Sequence, residues 1–301
     1  MSRFAKFGIP NNFDELLPGL RSKTLKWETV CRSGTKINST ANISFYQTTN
    51  SYGTFILIPG LATNADVDPL MKSITFWALT HRYNIVKMDT FINDFLDEIT
   101  PEKMKLNTYS EFKTIIHESI NFIKPCIQNT YSLIVGHCAS ANGIIDVFND
   151  CVKNSEPIPV SSALLLAPFP KTPGTAYENN IKRLLRVSMR DLTKAGDPTS
   201  KMKLAHMKFL EAMENFRREI ENVSFEPDLM IQWGIPVTFV TAQRDQISTK
   251  ERIDEYCAVL NQKSNNFKHL CLPKKKHTFE RLYADHTAII SLIKAQRKQS
   301  K

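Results

Sequence analysis

The sequence predicts an α/β protein with a mostly parallel, eight-stranded sheet and helices on both faces. Three observations carry that expectation. Apolar runs of strand length recur along the chain between turn residues, helical patterns separate most of them, and 301 residues suffice to bury a sizeable core. Strands that alternate with helices imply parallel pairing, with both sheet faces covered.

Taken in order, the strand runs are LKWETVC (25–31), ISFYQ (43–47), TFILI (54–58), NIVKM (84–88), SLIV (132–135), ALLLA (163–167), PVTFVT (236–241) and KHLCL (268–272). Helical patterns are read over 67–80, 109–124, 140–152, 249–261 and 279–296. The rhythm breaks between Phe169 and Gln232, where no strand pattern occurs and the segment opens with the turn-rich PFPKTPG. Two helical stretches, about 178–195 and 200–222, make 169–232 a helical lid inserted into a core formed by 1–168 and 233–301. A packed helical excursion without a gating role is the other reading of that segment.

Composition narrows the function classes. Apolar residues make up 42% and charged residues 23% of the chain, ordinary for a globular protein. The first twenty residues lack a sustained apolar core, and no stretch approaches bilayer-spanning length, so a protein without a membrane span is expected. The six cysteines, Cys31, Cys126, Cys138, Cys151, Cys257 and Cys271, lie far apart without a CxxC pair. That spacing argues against a zinc site or a disulfide scaffold and fits reduced thiols in the cytoplasm. No metal or cofactor is expected.

The formal charge of +9 is uneven, with nine Lys/Arg against three Asp/Glu over 171–208 and ten against two over 263–301. Such a field favours acidic partners: phosphorylated cofactors, acidic carrier proteins or nucleic acid. A solvated basic surface explains it equally, and the lack of a recognisable nucleic-acid motif argues against nucleic acid.

The stretch YSLIVGHCASANGIIDVF, residues 131–148, runs a strand into a small-residue corner and leaves at once as a helix. Gly136 and Ser140 flank Cys138 at two residues on either side, the small-x-nucleophile-x-small spacing of a nucleophile elbow. Small neighbours are needed there because the tip residue is forced into unfavourable backbone angles and flanking bulk would clash. The following helix aims its N-terminus at the tip, where positive potential favours a thiolate and an oxyanion.

On these residues the chain resembles the α/β-hydrolase superfamily, over residues 24 to 298. GHCAS departs from the usual G-x-S-x-G twice, with cysteine at the tip and Ser140 in place of the last glycine. A cysteine nucleophile looks like the dienelactone-hydrolase and polyhydroxyalkanoate-synthase branches. The family order of nucleophile, acid and histidine is matched by Cys138, then Asp245 after the strand IPVTFVT, then His277 after KHLCL. By resemblance, His277 takes the thiol proton and later protonates the leaving group, and Asp245 fixes the imidazole tautomer. Taken singly, Asp245 also suits a cap on the helix near Thr249, and His277 a solvated basic loop.

His286, His269, His137, His81, His117 and His206 are poorer candidates by position, as are Asp254 and Asp285, which fall in helical patterns. The turn Pro59-Gly60-Leu61 stands where the family has its His-Gly-x loop, so the resemblance gives an oxyanion hole from the N–H groups of Leu61 and Ala139. One such donor stabilises a transition state by about 3 kcal/mol. The function expected is an acyl hydrolase (esterase or thioesterase) or an acyltransferase, acting on a small-molecule or carrier-bound acyl group. A non-catalytic binding protein on the same scaffold is the alternative.

Overall fold

The computed structural model describes residues 21–30, 36–48, 50–60, 68–89, 109–127, 130–168, 225–245, 247–273, 279 and 283–299. Eight strands, β1 (Arg21–Val30), β2 (Lys36–Tyr46), β3 (Thr54–Ile58), β4 (Asn84–Asp89), β5 (Ser132–His137), β6 (Ser162–Leu166), β7 (Val237–Ala242) and β8 (Phe267–Leu272), form one sheet in the order β1-β2-β4-β3-β5-β6-β7-β8. β1 pairs antiparallel with β2, and β2 antiparallel with β4. From β4 to β8 every pairing is parallel.

Among the described residues six helices accompany the sheet: α1 (Pro69–Thr80), α2 (Tyr109–Ile127), α3 (Ala139–Lys153), α4 (Pro227–Met230), α5 (Lys250–Asn261) and α6 (Tyr283–Gln299). The apolar strand residues alternate between two cores. Ile56, Ile58, Ile134, Leu165 and Phe239 pack with α2, α3 and α5 on one face. Phe55, Leu57, Val135, Leu166 and Val240 pack with α1 and α6 on the other. All five residues of β3 and all six of β5 are buried, as expected of central strands covered on both sides.

Local chemistry sets the helix starts. Asp68 caps α1 by accepting from the N–H groups of Leu70 (2.9 Å) and Met71 (3.1 Å), and Pro69 follows at the first turn. The sequence pattern of 279–296 begins four residues ahead of α6, since Phe279 has φ 47° and lies outside the helix. The short α4 and the 3₁₀ turn Ile231–Trp233 carry no readable period, yet they bury Met230 and Trp233 beside Phe225 against the α3 face. Residues 169–224, the greater part of the sequence-predicted lid, lie outside the described residues.

The chain leaves β3 toward α1 on one face and leaves β5 toward α3 on the opposite face. Because β3 and β5 are neighbours, their carboxyl ends mark the switch point of the sheet, the place where open α/β sheets bind ligands.

Candidate active site

At the end of β5 the backbone turns through Cys138 with φ 57° and ψ −123°. For a residue with a side chain this is sparsely populated space, costing on the order of 1–3 kcal/mol, and it persists only where the surroundings impose it. Those surroundings are visible. The Cys138 N–H donates to the Leu166 carbonyl at 2.8 Å, anchoring the tip to β6, while the Cys138 carbonyl accepts from Ala141 (3.0 Å) and Asn142 (3.3 Å) and opens α3.

The small residues around the tip are required by contact. A Cβ on Gly136 would stand 2.4 Å from the Ile144 side chain and 3.1 Å from the Ala141 backbone, so β5 and α3 pack this closely only through glycine. Ser140 replaces the family's usual second glycine at a fully buried position, where its hydroxyl donates to the Pro59 carbonyl. The departure from the motif thereby becomes a bond between the elbow and the turn after β3.

Cys138 is the cap residue of α3 but makes no side-chain capping bond, and it remains partly exposed. Helix geometry leaves the Ala139 N–H without an intrahelical acceptor. A thiol and an N–H donor thus meet at the positive end of a 15-residue helix. Of the other described thiols, Cys271 is also partly exposed, while Cys151 and Cys257 are buried. Burial pushes Cys257 up to about 12, with the Asp254 charge adding to it, and burial likewise raises Cys151.

Asp245 lies just beyond β7, buried, on the carboxyl edge that also carries the elbow. The register His137↔Leu166, Leu166↔Val240 and Ala242↔Leu272 brings the ends of β5, β6, β7 and β8 to that one edge. Asp245 Oδ1 accepts from the N–H groups of Ile247 (2.8 Å) and Ser248 (3.0 Å). The Ser248 hydroxyl in turn donates to the Pro168 carbonyl after β6. Asp245 does not cap α5, whose cap is Thr249. Leu61 and His277 lie outside the described residues.

Of the competing histidines, His269 in β8 contacts Asp254 at 2.5 Å and Thr241 at 2.7 Å on the α5 side of the sheet. His137 is different. It is buried immediately before the tip, with Nδ1 3.7 Å from Asp68 Oδ2 and its ring against Phe279, centroids 5.7 Å apart. Sequence reasoning set His137 aside as a base and gave Asp68 no part; the only signals were a cap-and-proline pair at 68–69 and the histidine beside the tip.

No family model and no curated protein sequence matches the chain. Solved structures do. The chain is similar to the esterase Est1E from Butyrivibrio proteoclasticus at 13% identity and TM-score 0.55, over 91% of this chain and 99% of that one. It is similar to the thioesterase domain from the curacin biosynthetic pathway at 11% identity and TM-score 0.54, over 92% of this chain and 100% of that one. It is also similar to a carboxylesterase of Nitrososphaera gargenis at 10% identity and TM-score 0.59, over 86% of this chain and 96% of that one. With the strand order and elbow above, these likenesses define the fold: the chain adopts the α/β-hydrolase fold.

Proposed function

We propose that the protein is an acyl hydrolase or acyltransferase that works through a thioester on Cys138. The observation that carries this reading is the strained, partly exposed cysteine at the β5–α3 corner, held at φ 57° with a helix N-terminus behind it. Backbone strain held in place by several independent contacts clusters at functional sites, and here it presents a thiol. The esterase and thioesterase neighbours support acyl transfer as the reaction type, and one of them, Est1E, has been solved with ferulic acid bound.

In the proposed sequence His277 accepts the Cys138 thiol proton and Sγ attacks the acyl carbon. The resulting oxyanion takes hydrogen bonds from the N–H groups of Leu61 and Ala139. The tetrahedral species collapses, the alkoxide or thiolate leaving group departs with the proton held by His277, and the acyl group remains on sulfur. Water or an acceptor alcohol, thiol or amine, deprotonated by the same imidazole, then attacks the thioester and returns Cys138. Asp245 orients the ring and stabilises its cationic form. Whether a lid over 169–232 excludes water decides between hydrolysis and transfer.

The test is a panel of activated esters and thioesters followed by intact-mass and peptide mass spectrometry. The reading predicts one acyl adduct, on Cys138, formed faster than product appears and absent in Cys138→Ala. Slow, uniform labelling of all cysteines, with no turnover of any ester, would favour a binding protein on a hydrolase scaffold.

A further inference from the structure

We infer that His137 and Asp68 form a buried couple that positions the oxyanion turn and the base-bearing loop against the elbow; the inference rests on the acyl-transfer reading above. Both residues are nearly inaccessible, at 5% and 8% exposure. The Asp68 carboxylate is divided in its duties, with Oδ1 capping α1 through Leu70 and Met71, and Oδ2 facing His137 Nδ1 at 3.7 Å. That separation lies within ion-pairing range and beyond a direct hydrogen bond. Burial alone would raise the Asp68 carboxyl, but the imidazole beside it and the two backbone N–H groups outweigh burial and hold it below its ordinary value.

Three segments that bear on the proposed chemistry meet at this one ring. A Cβ on Gly60 would lie 3.0 Å from His137 Nδ1 and 3.4 Å from Cys138 Cβ, so the turn packs directly on the histidine and the tip. Leu61, the proposed donor, is the next residue in the chain, and Asp68 bounds the far end of the same segment. Phe279, fully buried at φ 47°, also packs on the ring, two residues beyond the proposed base His277 in the chain. His137 itself is covalently joined to the nucleophile. A side chain so placed ties Gly60, Asp68 and Phe279 to the thiol-bearing corner without touching substrate, which makes both members of the couple positioning residues. Displacing a reacting group by an ångström lowers a rate by up to about a hundredfold.

Asp68→Asn is the informative variant, because asparagine caps a helix as well as aspartate does, while the charged oxygen facing His137 becomes a neutral NH2. His137→Phe keeps an aromatic ring facing Phe279, one ring atom larger, and removes both nitrogens. Each is expected to lower kcat by roughly tenfold to a hundredfold with KM within about twofold, measured well below the melting temperature of each variant. The double variant should be no slower than the worse single one, since the two act as a unit. His137→Gln, which restores a polar group, should recover part of the loss. Unchanged kcat in Asp68→Asn overturns the couple, as does a loss carried wholly by KM or one that vanishes at lower temperature. A wild-type chain that never acylates at Cys138 removes both this inference and the reading beneath it, whereas an active wild type with unaltered variants removes the couple alone.

Discussion

Cys138 occupies backbone space that glycine enters freely and other residues avoid, so its stability effects separate from its chemistry. Cys138→Gly should be more stable than Cys138→Ala by about 1–2 kcal/mol, because only glycine relieves the positive φ. Urea unfolding of the two variants measures this, and an alanine variant at least as stable as the glycine one would show the corner unstrained. Gly136→Ala should destabilise by about 1–3 kcal/mol. The Ile144 tip that meets the new methyl can rotate, but the Ala141 backbone behind it cannot. The same small residues made the corner legible from sequence: glycine, a polar tip and serine between a strand run and a helix admit few other geometries. The meaning of Ser140 was not legible, because its bond to Pro59 joins residues far apart in the chain.

Element by element, the sequence-derived strands and helices that fall on described residues agree with the observed ones within about four residues, since buried parallel strands and long amphipathic helices write their periods plainly, except that β2 begins seven residues ahead of the 43–47 run. α4 escaped because four residues define no period, and the antiparallel hairpin of β1 and β2 because pattern does not encode strand direction. The Asp68–His137 contact escaped for a further reason: a helix cap and a strand end carry no shared signature. Asp68 also carries a pH-dependent share of stability. Its folded pKa lies below the unfolded value of about 3.9, so the contribution is fully present above that value and is lost as pH falls through the folded one. Wild type should therefore lose stability more steeply than Asp68→Asn as pH falls below about 4. Parallel curves from unfolding titrations across that window would contradict the linkage.

For the molecule as a whole, the sheet order brings the carboxyl ends of β3, β5, β7 and β8 to one edge, which carries both Cys138 after β5 and Asp245 after β7. The basic segments 171–208 and 263–301 belong to this scale too. If they steer a carrier-bound acyl donor, kcat/KM for an anionic thioester should fall several-fold between about 0.05 and 0.3 M salt, while a neutral ester shows no change. Equal salt responses would leave the charge as a solvated surface. The central claim is that Cys138 is activated by His277. It is tested most directly by the rate of Cys138 alkylation as a function of pH in wild type and in His277→Ala. The account predicts that wild-type Cys138 reacts ahead of Cys151 and Cys257 and is already reactive well below pH 8.5, the range of an ordinary thiol, and that His277→Ala moves the profile up to that range. Superimposable profiles in the two proteins would contradict it.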